Sequence, residues 1–332
     1  MSSPSTSAHR PTDTHRESRK VQEMKAIRIH AFGGPEVLAY EEVSRPIPGD
    51  DEVLVKVHAA SVNPVDVATR AGYLQGMIDI KLPHTPGLDL AGVVEAVGAD
   101  VTSVAVGDQV YAYSNIARQG AYAEYAVVSA GEVARKPKTV DFVNAASIPL
   151  AGITAWQALK IAGVQQGQTV LIHGAGGGTG SFAVQFAHVQ GARVIATAST
   201  DKAAYLKTLG ADEVIDYTAT RFEDVVRDVD VVVDLVGGDV TARSLGVLKP
   251  GGTFVTPIGQ PDQAAAAAAG VTASSMFAQA SVADLTEIAS LIDAGRVKTS
   301  VSHVFPLAEA RAAQELLERG HMQGKIVLQV AE

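Results

Sequence analysis

The chain has 332 residues, 47% hydrophobic and 19% charged, which at roughly 150 residues per domain suggests two domains and excludes a disordered chain. No apolar run reaches the roughly 18 residues needed to cross a bilayer, so no membrane partner is expected. The absence of cysteine and a net charge of −9 exclude disulfides, thiolate nucleophiles and cysteine-held metals and oppose nucleic-acid binding, leaving a cytoplasmic enzyme or small-molecule binder as the expectation.

Residues 1–23 are dominated by Ser, Thr, His, Arg and Pro and read as a disordered tail. They lack the apolar stretch of a secretory signal, and Asp13, Glu17 and Glu23 argue against a transit peptide. From Met24 a period-2 alternation begins, recurring at Glu52–Val57 and Ala91–Val97 between Gly and Pro punctuation, which predicts a β-rich first domain. Near residue 145 the pattern changes. Short apolar runs at Thr169–His173, Arg193–Thr197, Glu213–Asp216, Val229–Leu235 and Gly252–Pro257 alternate with stretches suited to crossover helices, which predicts βαβαβ units around a parallel sheet. Val282–Ala294 reads as a helix, Pro306 opens another through Glu318, and Lys325–Val330 closes the chain as a strand, these last elements returning in part to the first domain. The alanines Ala264–Ala269 read as a surface segment without chemistry of its own.

The strongest chemical feature follows the first of the parallel runs: Val170-Leu171-Ile172-His173-Gly174-Ala175-Gly176-Gly177-Gly178-Thr179-Gly180. A strand entering a helix through such a turn brings backbone N–H groups and the helix's positive end against a pyrophosphate, and a β-carbon at the closest positions would block the approach. Ala175, Gly177 and Gly180 give AxGxxG, and Gly174, Gly177 and Gly180 give GxxGxxG; with the βα context around them they indicate a dinucleotide site that uses the backbone from Gly174 through Gly177, Gly178, Thr179 and Gly180.

An acid about 20 positions further on accepts hydrogen bonds from a free ribose 2′-hydroxyl and repels a 2′-phosphate. Ala198 occupies that place, followed by Ser199, Thr200, Asp201 and Lys202. Ser199 and Lys202 are suited to hold a phosphate dianion, so NADP(H) is the expected cofactor rather than NAD(H). Ser199 or Thr200 also suits the cap of a following helix.

Several motifs now stand in order from Met24 to the end: Met24-Lys25-Ala26-Ile27, Gly33-Gly34-Pro35-Glu36-Val37-Leu38, Ser61-Val62-Asn63-Pro64-Val65-Asp66, Pro86-Gly87-Leu88-Asp89-Leu90-Ala91-Gly92, Val106-Gly107-Asp108-Gln109-Val110, the glycine turn, and Gly324-Lys325-Ile326-Val327-Leu328. Together they resemble the zinc-free quinone oxidoreductase (zeta-crystallin-like) branch of the medium-chain dehydrogenase/reductase superfamily. The resemblance implies an α/β fold in which a Rossmann doubly wound parallel sheet, residues 149–295, is inserted into a GroES-like β-rich substrate domain made of residues 24–148 and 296–332. It further implies NADP(H) in the cleft between them and a homodimer joined through the cofactor domains.

Zinc members of that superfamily use a cysteine and a Gly-His-Glu segment near the nicotinamide; here the segment reads Gly87-Leu88-Asp89 and no cysteine exists, so no metal is expected. Without a strong Lewis acid, a quinone or α,β-unsaturated carbonyl is the better acceptor, because it spreads the incoming charge over a conjugated oxygen. An enoyl or 2-alkenal double-bond reductase and a non-catalytic, crystallin-like NADPH-binding protein are the alternatives.

By the same resemblance Asn63 lies near the nicotinamide ribose and reacting centre, although Asn before Pro is also ordinary turn chemistry. Some quinone reductases carry a tyrosine five residues later, where this chain has Ala68; Tyr73 is the nearby candidate for lining the substrate pocket or donating a hydrogen bond. Thr154 corresponds to a threonine that contacts the cofactor at the domain junction, Tyr217 to a tyrosine beside the 2′-phosphate, and Lys325 to a C-terminal residue reaching the cofactor cleft. Val236, Gly237, Ile258 and Gly259 follow the fourth and fifth runs and belong at the carboxyl edge of the sheet, where ligands bind in open α/β folds.

Overall fold

The computed structural model describes residues 22–331. The expected tail lies outside the described residues apart from its last two, and Glu23 already belongs to a strand.

β1 (Glu23–Arg28) and β2 (Ala39–Ser44) form an antiparallel ribbon. β3 (Glu52–Val62) runs into α1 (Pro64–Ala71), and β4 (Asp89–Val97), β5 (Gln109–Tyr113), β6 (Tyr125–Ser129) and β7 (Val133–Arg135) complete the first run of strands. α2 (Phe142–Ala146) and α3 (Pro149–Ala162) lead away from them. The next stretch alternates β8 (Thr169–His173), α4 (Gly178–Val189), β9 (Arg193–Ala198), α5 (Ala203–Thr208), β10 (Glu213–Asp216), α6 (Phe222–Val225), β11 (Val229–Asp234), α7 (Asp239–Ser244), β12 (Leu248–Thr256), α8 (Gln263–Ala268) and β13 (Thr272–Ser275). α9 (Val282–Asp293), β14 (Val301–Pro306), α10 (Ala310–Glu318) and β15 (Lys325–Gln329) finish the chain.

β8 to β13 form one parallel sheet in the order β10-β9-β8-β11-β12-β13. Its strand order reverses between β8 and β11, the place where ligands bind in doubly wound sheets. The second sheet draws on both chain ends: β15 lies antiparallel to β3 and parallel to β14, giving the order β14-β15-β3-β4-β5-β7 with β6 also on β3.

Two elements depart from the sequence reading. Pro306 closes β14 rather than opening a helix, and α10 starts only at Ala310 after a tight turn over Leu307–Glu309. A proline at the end of an edge strand costs no ladder hydrogen bond in the sheet interior, so Val301–Phe305 extends alongside β15. β13 is the other: Thr-Ala-Ser-Ser shows no apolar run and is a strand because it closes the edge beside β12.

The central strands bury both faces, which explains their unbroken Val/Ile/Leu runs. α3 is buried around most of its circumference, from Ala151 to Leu159, and lies between the two sheets with Trp156 edge-on to Phe186 of α4 at 4.9 Å. One apolar cluster runs from Ala59, Ala91 and Tyr111 through α3 to Val170 and Val233, so the two sheets share a core. The Tyr111 hydroxyl fastens that seam by donating to the Leu285 carbonyl at 2.6 Å.

Candidate active site

A cavity of about 710 Å³ opens at the carboxyl ends of β8, β9, β11 and β12 and is closed on its far side by the α1 entrance and the loop before β15. The glycine turn forms one wall. Gly174 has φ +70°, a left-handed conformation that favours glycine, and turns the chain off β8. Gly180 sits where an added β-carbon would lie 2.3 Å from the Gly174 carbonyl oxygen, so only glycine lets the first turn of α4 press against the strand exit. At Gly177, the residue that caps α4, an added β-carbon would meet nothing closer than 3.6 Å, so its missing side chain leaves space at the helix start. The unsatisfied first-turn N–H groups of this twelve-residue helix supply the positive end that a diphosphate needs.

Beyond the turn, Ala198, Ser199, Lys202 and Tyr217 line the same cavity. Lys202 is buried, and its ammonium donates to the carbonyls of His321 (2.9 Å) and Met322 (3.1 Å). Those bonds use two of its three protons. Ser199 precedes the following 3-10 turn but makes no side-chain cap, and Thr200 gives its hydroxyl to Asp216 on the neighbouring strand, so neither caps as expected. Asp216, at the end of β10, is held below the usual carboxylate range by Thr200 and Thr218, and both its oxygens are engaged by threonine hydroxyls.

The floor is a buried polar constellation. Asn63 is 3% exposed; its carboxamide nitrogen donates to Asp89 Oδ2 at 2.9 Å and its oxygen accepts from the Lys325 ammonium. Lys325 also donates to the Val62 carbonyl (3.1 Å) and lies 4.0 Å from Asp89. Its stem lies beside the glycine turn: a β-carbon on Gly178 would stand 2.4 Å from its Cδ. Lys325 is therefore no exposed strand-start lysine. Asp89 accepts additionally from the Ser61 hydroxyl (2.8 Å) and the Leu150 N–H (2.8 Å). Asp66 takes the Asn63 N–H (2.8 Å) and the Tyr122 hydroxyl (3.1 Å), and its burial, more than the repulsion of Asp89, pushes its pKa up to about 7. Burial raises Asp89 and lowers Lys325, each opposed by the other's charge.

Thr154 lines the cavity while its hydroxyl donates to Leu150 O at 2.7 Å, so the helix-internal bond and a place on the cavity wall coexist. Val236 and Ile258 form the half-open lip. Gly259, at φ +72°, turns the chain behind Ile258 without lining the cavity itself. Tyr73 stands farther out still. It sits past the end of α1, 78% exposed and off the cavity wall, because the left-handed Gly72 directs the chain outward.

Four residues escaped sequence reasoning in the roles they take here. His173, at the exit of β8, is buried between Thr197 (3.0 Å) and Ser244 (3.1 Å), and burial lowers its pKa to about 4, so it stands neutral. Asp234 organises the turn after β11 by accepting from the N–H groups of Val236 and Gly237 and from Thr241. Asp66 was visible only as a motif letter and Asp89 only in the segment compared with a metal site; an acid that ends an apolar strand run, as Asp234 does, was the available signal.

Metal binding does not fit these residues. Leu88 fills the imidazole position as a buried hydrophobe, both Asp89 oxygens are occupied, and the Lys325 ammonium already stands beside them. His58 stacks on Phe142 at 4.3 Å, and neither it nor His84 joins a group of three side chains able to hold a metal ion among the described residues.

Models for the alcohol dehydrogenase GroES-like domain and the zinc-binding dehydrogenase match residues 49–138 and 209–328. A relative from Mus musculus, NAD(P)H oxidoreductase RTN4IP1, mitochondrial, is 36% identical over 92% of this chain and 89% of its own. The solved quinone oxidoreductase of Coxiella burnetii is 38% identical and superposes with a TM-score of 0.86 over 93% of this chain and all of that one. The chain belongs to the quinone oxidoreductase branch of the medium-chain dehydrogenase/reductase superfamily. This member of the superfamily is an oxidoreductase that uses a nicotinamide cofactor. Another relative, NADPH-dependent alkenal/one oxidoreductase, chloroplastic, from Arabidopsis thaliana, is 36% identical over 99% of this chain and 85% of its own. No described helix is long and apolar enough to cross a membrane.

Proposed function

We propose that the protein is a zinc-independent, NADPH-dependent reductase of quinones or other conjugated carbonyl acceptors. The observation that carries this reading is one continuous cavity joining the glycine turn at α4 to the Asn63–Lys325 floor. NADPH, when bound, supplies the hydride. The chain's own residues would grip and orient it: α4 N–H groups from Gly178 to Gly180 toward the diphosphate, Ser199, Lys202 and Tyr217 around the 2′-phosphate, and Asn63 with Thr154 at the nicotinamide end. A conjugated acceptor needs only modest donors and close orientation once the pair is held out of water. The largely apolar lip of Val236, Pro257 and Ile258 favours a flat, weakly polar acceptor.

The test is loss of reduced-nicotinamide absorbance with benzoquinones, naphthoquinones and 2-alkenals, NADPH and NADH side by side, before and after chelator dialysis. NADPH turnover that survives the chelator supports the reading; NADPH binding without turnover of any acceptor overturns it in favour of a crystallin-like binding protein. Preference for 2-alkenals would make it a double-bond reductase, the reading favoured by the plant relative's name. A homodimer belongs to the same proposal, supported by β13 lying at the open edge of the cofactor sheet. A cytoplasmic location is part of the same proposal, and cell fractionation decides it against the organelles named for two relatives.

A further inference from the structure

Asp89 touches three pieces of the cavity without lining it. One oxygen accepts from the Leu150 N–H in the first turn of α3, the helix that carries Thr154; the other accepts from the Asn63 carboxamide and the Ser61 hydroxyl and faces Lys325 at 4.0 Å. With a donor on each side, the carboxylate dictates which end of the Asn63 amide points where: nitrogen to Asp89, oxygen to Lys325. Lys325 in turn packs its stem against the glycine turn.

We propose that Asp89 is a positioning residue for the transfer reaction, locking the Asn63 carboxamide and the Lys325 ammonium into a single orientation and registering both against α3. It rests on the reductase reading above. The fixed amide–ammonium pair sets the angle at which the nicotinamide end meets the acceptor, and a misplacement of about 1 Å at a reacting centre costs on the order of 100-fold in rate. An asparagine at position 89 keeps the shape and one acceptor oxygen but must either point its NH₂ at the Asn63 NH₂ and the Lys325 ammonium or abandon Leu150; the lock is lost with little change in volume.

The experiment compares wild type, Asp89→Asn, Asn63→Ala and the double variant, reading kcat and acceptor KM, the dissociation constant for NADPH, and the fluorescence lifetime of bound NADPH. Asp89→Asn is expected to lower kcat about 30- to 100-fold with KM and the NADPH constant within about threefold, and to shorten the bound-cofactor lifetime. Adding it to Asn63→Ala should cost less than threefold more, because its effect passes through that amide. Equal kcat with raised KM, or fully additive losses, overturns the proposal. Should Asp89→Asn fail to fold, Asp89→Asn/Lys325→Met removes both buried charges together, a change that buried pairs tolerate better than loss of one partner; wild-type kcat and lifetime in that variant equally overturn the proposal. If wild type turns over no acceptor, the reductase reading fails by itself, and the lifetime comparison still decides whether Asp89 orders the bound nicotinamide.

Discussion

Lys202→Met gives the sharpest test of how the cavity chooses its cofactor. The side chain keeps most of its length and its packing against Gly176, where a β-carbon would stand 2.5 Å from Lys202 Cδ. It loses only the ammonium. In the structure that ammonium satisfies two carbonyls and has no carboxylate partner among the described residues, so one proton and the whole positive charge remain for a ligand. A hydrogen bond to a charged group contributes about 1.5–3 kcal/mol, which is about 10- to 150-fold in a binding ratio. We expect kcat/KM for NADPH to fall by that factor while kcat/KM for NADH changes less than about threefold. Steady-state rates with both cofactors, under saturating acceptor, measure it. Equal losses for the two cofactors would refute the reasoning, since they would mean that the lysine serves only to tether the His321–Met322 carbonyls.

Three further outcomes follow from the geometry. Gly180→Ala drives a β-carbon into backbone and should cost about 1–3 kcal/mol in urea unfolding, with weakened NADPH binding. Tyr73→Phe should leave kcat/KM within twofold, because the ring is exposed and off the cavity; a tenfold drop would restore its catalytic assignment. For Asp66, whose carboxyl is raised in the folded state from about 4 to about 7, the native protein holds a proton that the unfolded chain has released. The wild type should therefore lose stability as pH rises from about 4 to about 7, by up to about 1.4 kcal/mol per unit, and level off above that. Asp66→Asn should flatten this slope in urea melts run at pH 5, 6 and 7; an unchanged slope would exclude Asp66 as its source.

The parallel sheet was readable because its strands are buried on both faces and so spell continuous apolar runs, and the glycine turn because each glycine answers a local steric demand. β14 was not, since Val301–Phe305 becomes a strand only through a neighbour that follows it across a helix. Asn63 and Lys325 each stood out by motif, yet nothing local says that an amide and an ammonium 262 residues apart touch. Asp89 was read for the metal it lacked rather than for the two groups it holds. Tyr73 shows the opposite limit: it is near Asn63 in sequence, yet the chain leaves Gly72 away from the cavity, and proximity in sequence carries no sign of that direction.

The pairing of β15 with β3 places an order on biosynthesis. All strands of the parallel sheet precede residue 276, so that layer can pair before β15 is made, whereas the Ala59–Val62 part of β3, beyond its pairing with β6, waits for Ile326–Gln329. Until Ile326–Gln329 clears the ribosome, the Asn63 amide has no Lys325 to meet and Gly324 cannot reach the Gly176 carbonyl. Before β15 is made, the Ala59–Val62 edge of β3 therefore lacks its native partner, and an unpaired edge of this kind is open to wrong strand pairing.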